Sequence, residues 1–528
     1  DNIQFLLDYF AKPPTNEPAP QRKPFHLNLR HLYLNNIHFF RPNAVKGETF
    51  DIFLTSAEAH FDRFDLLQKR LDIASLELDK PLIKIRSYLG KPLLEKFPPA
   101  KLTNDKISTV NSQVPNLQSQ IPDTTKLVVT IDQFDLASGV FSMHNKRKEP
   151  TRIAPPDVLD FNYLDVFDLY IKINDFTFSE LEFSGEIKKI AARESSGFVL
   201  ENLSAKDATL TCEGMKLLGL NLRTPQTTIG DTLIFKYKTY HAWEDFTNEV
   251  KMEGRFNQAS VALRDIMAFV PTLRNNPFFR ENADQVVEID GTLKGEVNGL
   301  DGKNLHIHIG EGLHLEGSFS TRNLAVPDEQ FLHLNLDRLQ TDVATLRKLI
   351  PGIRASSLDK LGNLDFSGKF DGFFVDFVAD GRLRTDIGSA TMFMNLKLRE
   401  GKEKARYSGD LYLENFDLGA FSGSPDLGKI TLDSHVKQGV GLTVNSANAK
   451  LEGVIDSMVY RGYKYRNVTV NGELAKRLFN GDLKIEDQNV SLTFGGKVNF
   501  TEAVPQFDFI ADVQRLSQLA RRLFGDPE

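Results

Sequence analysis

The stretch Val490-Ser491-Leu492-Thr493-Phe494-Gly495-Gly496-Lys497-Val498-Asn499-Phe500 alternates strictly. Val490, Leu492, Phe494, Val498 and Phe500 share one phase, while Ser491, Thr493, Lys497 and Asn499 share the other. Successive side chains of a strand point to opposite faces. Eleven residues of period 2 therefore predict a strand with one apolar and one wet face, the habit of antiparallel sheets. Similar alternation marks Leu293 to Val297, Leu305 to Ile309, Leu313 to Phe319, Leu364 to Phe370, Leu411 to Leu413, Leu483 to Ile485 and Phe507 to Val513. Asp290-Gly291, Asn298-Gly299, Asp301-Gly302, Asp371-Gly372, Asp380-Gly381, Asn471-Gly472 and Asn480-Gly481 read as two-residue hairpin turns, because Asn, Asp and Gly accept left-handed dihedrals. Strands so close in sequence form a meander, roughly 35 of them on ordinary strand lengths.

A second pattern, apolar-x-apolar-x-x-apolar-x-apolar, recurs along the chain. Examples are Leu27, Leu29, Leu32, Leu34; Ile171, Ile173, Phe176, Phe178; Leu334, Leu336, Leu339, Thr341; Leu411, Leu413, Phe416, Leu418; and Tyr463, Tyr465, Val468, Val470. One extra residue would turn every later side chain to the wrong face unless the backbone bulges there. The pattern predicts a recurrent β-bulge. Helical spacing is confined to Val261 to Val270, Val343 to Ile350 and Gln514 to Phe524, which read as short caps. Lys12 to Pro24, Ala100 to Thr125 and Asn145 to Pro156 read as linkers or long loops. So little helix leaves one apolar face without a covering layer. Its predicted lining is Ile171, Ile173, Phe176, Phe178, Leu411, Leu413, Phe416, Val468, Val470, Leu483, Ile485, Leu492, Phe494, Val498, Phe507 and Phe509.

The chain has 528 residues, more than the roughly 100 to 200 of one ordinary domain, which calls for several domains or a repeat architecture. Forty phenylalanines and 41% hydrophobic residues exclude a disordered chain. A net charge of −7, with 64 basic and 71 acidic residues intermixed, leaves no extended positive surface for nucleic acid. Cys212 is the only cysteine, so an internal disulfide or a cysteine metal cluster is excluded. No run reaches the ~20 apolar residues of a membrane-spanning helix.

No nucleophile elbow, phosphate loop, dinucleotide fingerprint or metalloprotease helix motif is present. The expectation is a chain without catalysis, cofactor or metal. His306, His308 and His314 lack a carboxylate or cysteine at matching spacing and read as solvent-facing, since Leu305, Ile307 and Ile309 hold the apolar phase. Glu194 and Glu201 read as solvated, Cys212 as a small buried residue, and Trp243 as a packing aromatic. A spacing that varies this widely, with hairpin connections, argues against a parallel β-solenoid.

The bulged strands, Leu263-Arg264-Asp265-Ile266-Met267-Ala268-Phe269-Val270-Pro271, and the run from Val470-Asn471-Gly472-Glu473-Leu474 through Asn480-Gly481-Asp482-Leu483 to Phe500 resemble TamB-like proteins of the AsmA-like superfamily. The resemblance extends over about Phe25 to Leu516. It implies an elongated, curled antiparallel β-sheet, a β-groove with a few short capping helices. It also implies bridge-like transport of phospholipid between the inner and outer membranes of a bacterial envelope, or instead a scaffold in outer-membrane β-barrel assembly. Phospholipid acyl chains are the implied ligand and the periplasm the implied location. On that reading an anchor preceding this chain holds it to the inner membrane, and a C-terminal portion beyond Glu528 meets an outer-membrane β-barrel. The implied organisation is 1–24 as the end of the anchor region and a linker, 25–99 as an N-terminal AsmA-like β segment, 100–125 as a polar loop and 126–528 as the elongated groove.

Overall fold

The computed structural model describes residues 28–65, 68–90, 127–147, 158–180, 182–324, 326, 329–349, 356–442, 446–476, 478–499 and 506–516. Among the described residues the protein is mainly β, 71% strand and 10% helix, as the alternation requires. Two compact units divide between Tyr240 and His241.

The first unit is built on one sheet: β1 (His31–Asn43), β2 (Glu48–Asp65), β3 (Arg70–Asp79), β4 (Leu82–Ser87), β5 (Val128–Asn145), β6 (Tyr163–Ser179), β7 (Glu182–Glu194), β8 (Val199–Thr211), β9 (Gly214–Arg223) and β10 (Thr228–Lys236). Neighbours in sequence pair antiparallel except at one place. β3 and β4 both pair antiparallel with β2 and parallel with β5. They act as one strand broken at Lys80 and Pro81, and a parallel partner needs a long crossover. The strands on either side of the expected 100–125 loop therefore share one sheet; that loop and Lys12 to Pro24 lie outside the described residues.

The second unit is an unbroken antiparallel meander: β11 (Lys251–Ala262), β12 (Val286–Glu296), β13 (Gly299–Ile309), β14 (Leu313–Arg322), β15 (Phe331–Asp342), β16 (Asn363–Phe373), β17 (Asp376–Thr385), β18 (Gly388–Lys397), β19 (Arg406–Asp417), β20 (Leu427–Val440), β21 (Asn448–Tyr460), β22 (Tyr463–Ala475), β23 (Leu478–Glu486), β24 (Val490–Asn499) and β25 (Gln506–Leu516). Short helices α1 (Phe246–Glu249), α2 (Leu263–Phe269), α3 (Pro277–Glu281), α4 (Val343–Leu349) and α5 (Leu418–Ser422) accompany it. α2, α4 and α5 follow β11, β15 and β19, every fourth strand. Asp342 and Asp417 cap α4 and α5 by accepting from the backbone N–H of Thr345 at 2.9 Å and of Ala420 at 2.8 Å.

Bulges occur at some of the doubled spacings and not at others, the β21–β22 register running unshifted past Asn467. The register shifts between Leu336 and Leu339 of β15 and between Leu413 and Phe416 of β19. Asp175, Asn415 and Asn467, each just before the apolar residue that resumes the pattern, take φ near +50°. Asn and Asp are the residues that visit this region most readily. In β1 the register with β2 runs unshifted from His31 to Asn43, and the left-handed residue is Asn36, not one between Leu29 and Leu32.

Several expectations fail for definable reasons. Of the seven Asn/Asp-Gly pairs only Asn298-Gly299 lies at a turn; the other six lie inside strands. Among the described residues, other two-residue turns fall at Cys212-Glu213, Phe374-Val375, Asp386-Ile387 and Arg461-Gly462. Twenty-five strands are described against about 35 expected, because a bulged strand of up to 18 residues reads as two. The spacing from Gln514 is not helical up to Leu516, which pairs with Val490 as part of β25; the rest of that segment lies outside the described residues. Cys212 is exposed, because β8 ends at Thr211 and the alternation stops there.

Candidate functional site in the apolar faces

Cross-strand partners share a face, so the strand register traces rows of side chains across each sheet. In the second unit one row runs Ala259, Ile289, Ile307, Leu315, Leu339, Phe366, Leu383, Ala390, Leu413, Leu432, Ile455, Val468, Ile485, Leu492, Val513. Every position on all fifteen strands is apolar. Two further rows on the same face run from Leu305 to Ala511 and from Gly302 to Phe509, with Ser434 their one polar member. No charged residue occurs in any of the three. In the first unit a row links Leu34, Ala57, Leu78, Leu136, Ile171, Ile190, Leu203, Leu222 and Ile229 through nine strands.

These faces are lined but not filled. Of the fifteen-residue row, Ala259, Ile289, Ala390, Leu413, Ile455 and Val468 are buried, and the other nine keep solvent-accessible surface. Burial gathers where the helices fold back: Val343 of α4, Leu361, Ala390, Leu413, Phe416, Ile430, Ile455, Tyr465, Val468 and Val490 form one cluster. Away from that edge Ala259, Ile289 and Leu305 form a second buried cluster, Leu336, Ala379 and Val436 are also buried, and most other side chains of the three rows are only partly covered.

The sixteen expected lining residues fall four in the first unit and twelve in the second. Ile171 and Ile173 stand opposite Leu136 and Phe134, and Phe176 and Phe178 opposite Ile131 and Val129. The Phe178 and Phe183 rings lie 5.0 Å apart. Leu413, Phe416 and Val468 are buried in the helix-edge cluster, a packing role. Leu411, Val470, Leu483, Ile485 and Leu492 pack half-buried against it. Phe494 and Val498 are half-buried, with Thr493 and Lys497 exposed on the other face. Phe494 meets Phe509 at 4.8 Å between ring centroids, and Phe507 stands opposite Val498 in the β24–β25 register. Sequence reasoning missed the central strands of the face, where Leu305, Leu336 and Met392 hold the middle row; their signal was the same alternation, read as strands but not joined into rows.

The other face is polar and ion-paired: Lys172–Asp135 at 3.1 Å, Lys216–Asp207 and Lys437–Glu452 at 3.0 Å, and Arg382–Glu414 at 3.2 Å. The Lys437 ammonium holds the Glu452 carboxyl below its ordinary range. His308 and His314 are stacked edge to face at 4.2 Å, and the far nitrogen of His314 lies 2.6 Å from Glu316. A carboxylate thus does stand beside this histidine pair, two residues along β14. No group of three potential metal ligands occurs among the described residues. Glu194 is buried, not solvated: it accepts from the N–H of Asp165 and Ser196 at 3.2 and 2.6 Å and from Ser195 Oγ at 2.9 Å. Trp243 stacks on Phe246 at 5.5 Å.

No family model, curated protein or solved structure matches the chain.

Proposed function

We propose that the chain carries phospholipid acyl chains along the apolar faces of its sheets and performs no catalysis. The observation that carries this reading is the set of rows without a charged residue in the second unit, the longest of which crosses fifteen consecutive strands and keeps nine of its positions open to solvent. An acyl chain laid there contributes ~0.8 kcal/mol per buried methylene while its headgroup stays wet. Glycines within the face, such as Gly472, Gly481 and Gly496 opposite one another, let the strands approach where a Cβ would collide with neighbouring backbone. The resemblance to TamB-like proteins supports transfer between the inner and outer membranes, with the periplasm as the setting.

A paired substitution tests the path. Phe494→Glu and Thr493→Glu place a charge on opposite faces of β24. A lipid path requires that both fold, and that capture of lipid by a photoreactive residue at position 492 be lost only in Phe494→Glu. Unfolding of Phe494→Glu alone indicates a closed core, and equal capture in both removes β24 from the path.

A second reading, a scaffold for β-barrel proteins working by strand addition, is favoured by β25. Among the described residues it pairs only with β24, and Ile510 and Val513 are 84% and 53% exposed. Crosslinks from β25 to nascent barrel strands would support it.

A further inference from the structure

In the first unit, the ends of β1, β2, β4 and β5 meet at one rim. Asn43 pairs with Glu48, Glu48 with Ser87, and Ser87 with Asn145. The turn after Asn43 is braced: Tyr88 N–H donates to the Gly47 carbonyl at 2.7 Å, and Lys146 N–H to that of Ser87 at 2.7 Å. The Arg147 guanidinium donates to the Tyr88 carbonyl at 3.1 Å, to the Lys46 carbonyl, and to Glu48 at 3.4 Å. Gly47, at φ +65°, lies so close to the Tyr88 carbonyl that any Cβ would collide with it.

This braced rim presents two kinds of side chain outward. Arg41, Lys46, Arg86, Lys146 and Arg147 are exposed, and the described carboxylates nearby, Glu48, Asp51 and Asp165, are already paired with Arg147, His38 and His144. Between these cations stand Phe40, Val45 and Leu89, 52%, 55% and 81% exposed. The opposite ends of the same sheet are mixed in charge, with Asp62, Asp65, Glu180, Glu182 and Glu213 beside Arg63, Lys69 and Arg70. Cations around protruding apolar side chains on a rigid edge match the chemistry of an anionic bilayer: charge draws the rim to the headgroups, and the apolar tips enter the boundary with the acyl chains.

We propose that this rim docks the chain on an anionic phospholipid surface, with Val45 and Leu89 entering the headgroup layer. The inference rests on the rim's own chemistry, not on what the apolar face carries.

The test is co-sedimentation of the full chain with phosphatidylcholine vesicles and with vesicles that also contain phosphatidylglycerol, at rising salt. The chain should bind the anionic vesicles and release as salt screens the charges. A cation near such a surface is worth about fivefold in affinity, so Arg41→Gln/Lys46→Gln/Arg86→Gln should weaken binding roughly a hundredfold. Val45→Ser/Leu89→Ser should remove the salt-resistant remainder. Lys236→Gln/Lys238→Gln, at the far ends of the strands, should bind as the parent does. Equal binding to both vesicles, retained binding by the triple variant, or equal loss in the far-end control would overturn the proposal. Lipid recovered with each purified variant, measured in parallel, keeps this result separate from the fate of the lipid-carrying reading.

Discussion

Gly368 of β16 faces Gly381 of β17 directly, and a Cβ on Gly368 would lie 2.5 Å from the Gly381 Cα and 2.2 Å from the Asp380 carbonyl oxygen. The glycine therefore allows two strands to approach on the apolar face in a conformation, φ +144°, that a side chain opposes. Gly368→Ala should cost about 2 kcal/mol or more. Gly462→Ala makes the comparison: this turn residue also has positive φ, but nothing lies within 4 Å of its Cβ, so about 1 kcal/mol is expected. Denaturation of both variants checks this, and equal losses would show that close approach is not what Gly368 provides.

The left-handed residue Asn467 gives the second expectation. Its φ of +51° turns the chain so that Val468, 2% exposed, returns to the apolar row. Asn467→Gly keeps this conformation and loses only a 3.3 Å bond from the amide to the Glu486 carbonyl, under about 1 kcal/mol. Asn467→Val should cost about 2 kcal/mol, since a β-branched residue opposes left-handed dihedrals. Melting temperatures in the order parent, Gly, Val are expected; a Val variant as stable as the Gly variant would contradict the left-handed conformation at position 467.

Acid should destabilise the first unit through one connected group of carboxylates. Burial pushes the Glu194 carboxyl up, but the donors from Ser196, Asp165 and Ser195 outweigh it and hold it below its ordinary range. Asp165 is likewise raised by burial and lowered further by bonds from Ser142 and His144. A carboxyl with a depressed pKa in the fold stabilises above its unfolded pKa, and that contribution is lost as pH falls through the folded value. Stability should be level from pH 7 to about 5 and decline below about 4. Glu194→Gln should be less stable at neutral pH and show a shallower acid decline. An unchanged acid limb would remove Glu194 from the cause.

The strands and their apolar phase were legible because period 2 is a local signal, and the doubled spacing at Leu413 and Phe416 announced its bulge for the same reason. The turns were not. Gly accepts positive φ within a strand as readily as in a turn, so Asp371-Gly372 looked like a hairpin while the turn fell at Phe374-Val375, which carries no turn chemistry. The parallel pairing of β3 and β4 with β5 depends on a crossover whose course no local pattern records. Among the lining residues, Leu483 and Leu413 carry the same signal, yet one is half-buried and the other packed. What separates them is the fold-back of α4 and α5, a tertiary fact. Glu194 escaped notice because its partners sit on a neighbouring strand and in its own turn.

Native mass spectrometry of the full chain, with extraction of whatever accompanies it, tests lipid carriage most directly. The expected result is phospholipid retained through purification, with Leu483→Asp/Phe494→Glu, which charges adjacent positions of one row, folded but depleted of it. A lipid-free parent chain that also fails to take up phospholipid from mixed micelles would contradict lipid carriage.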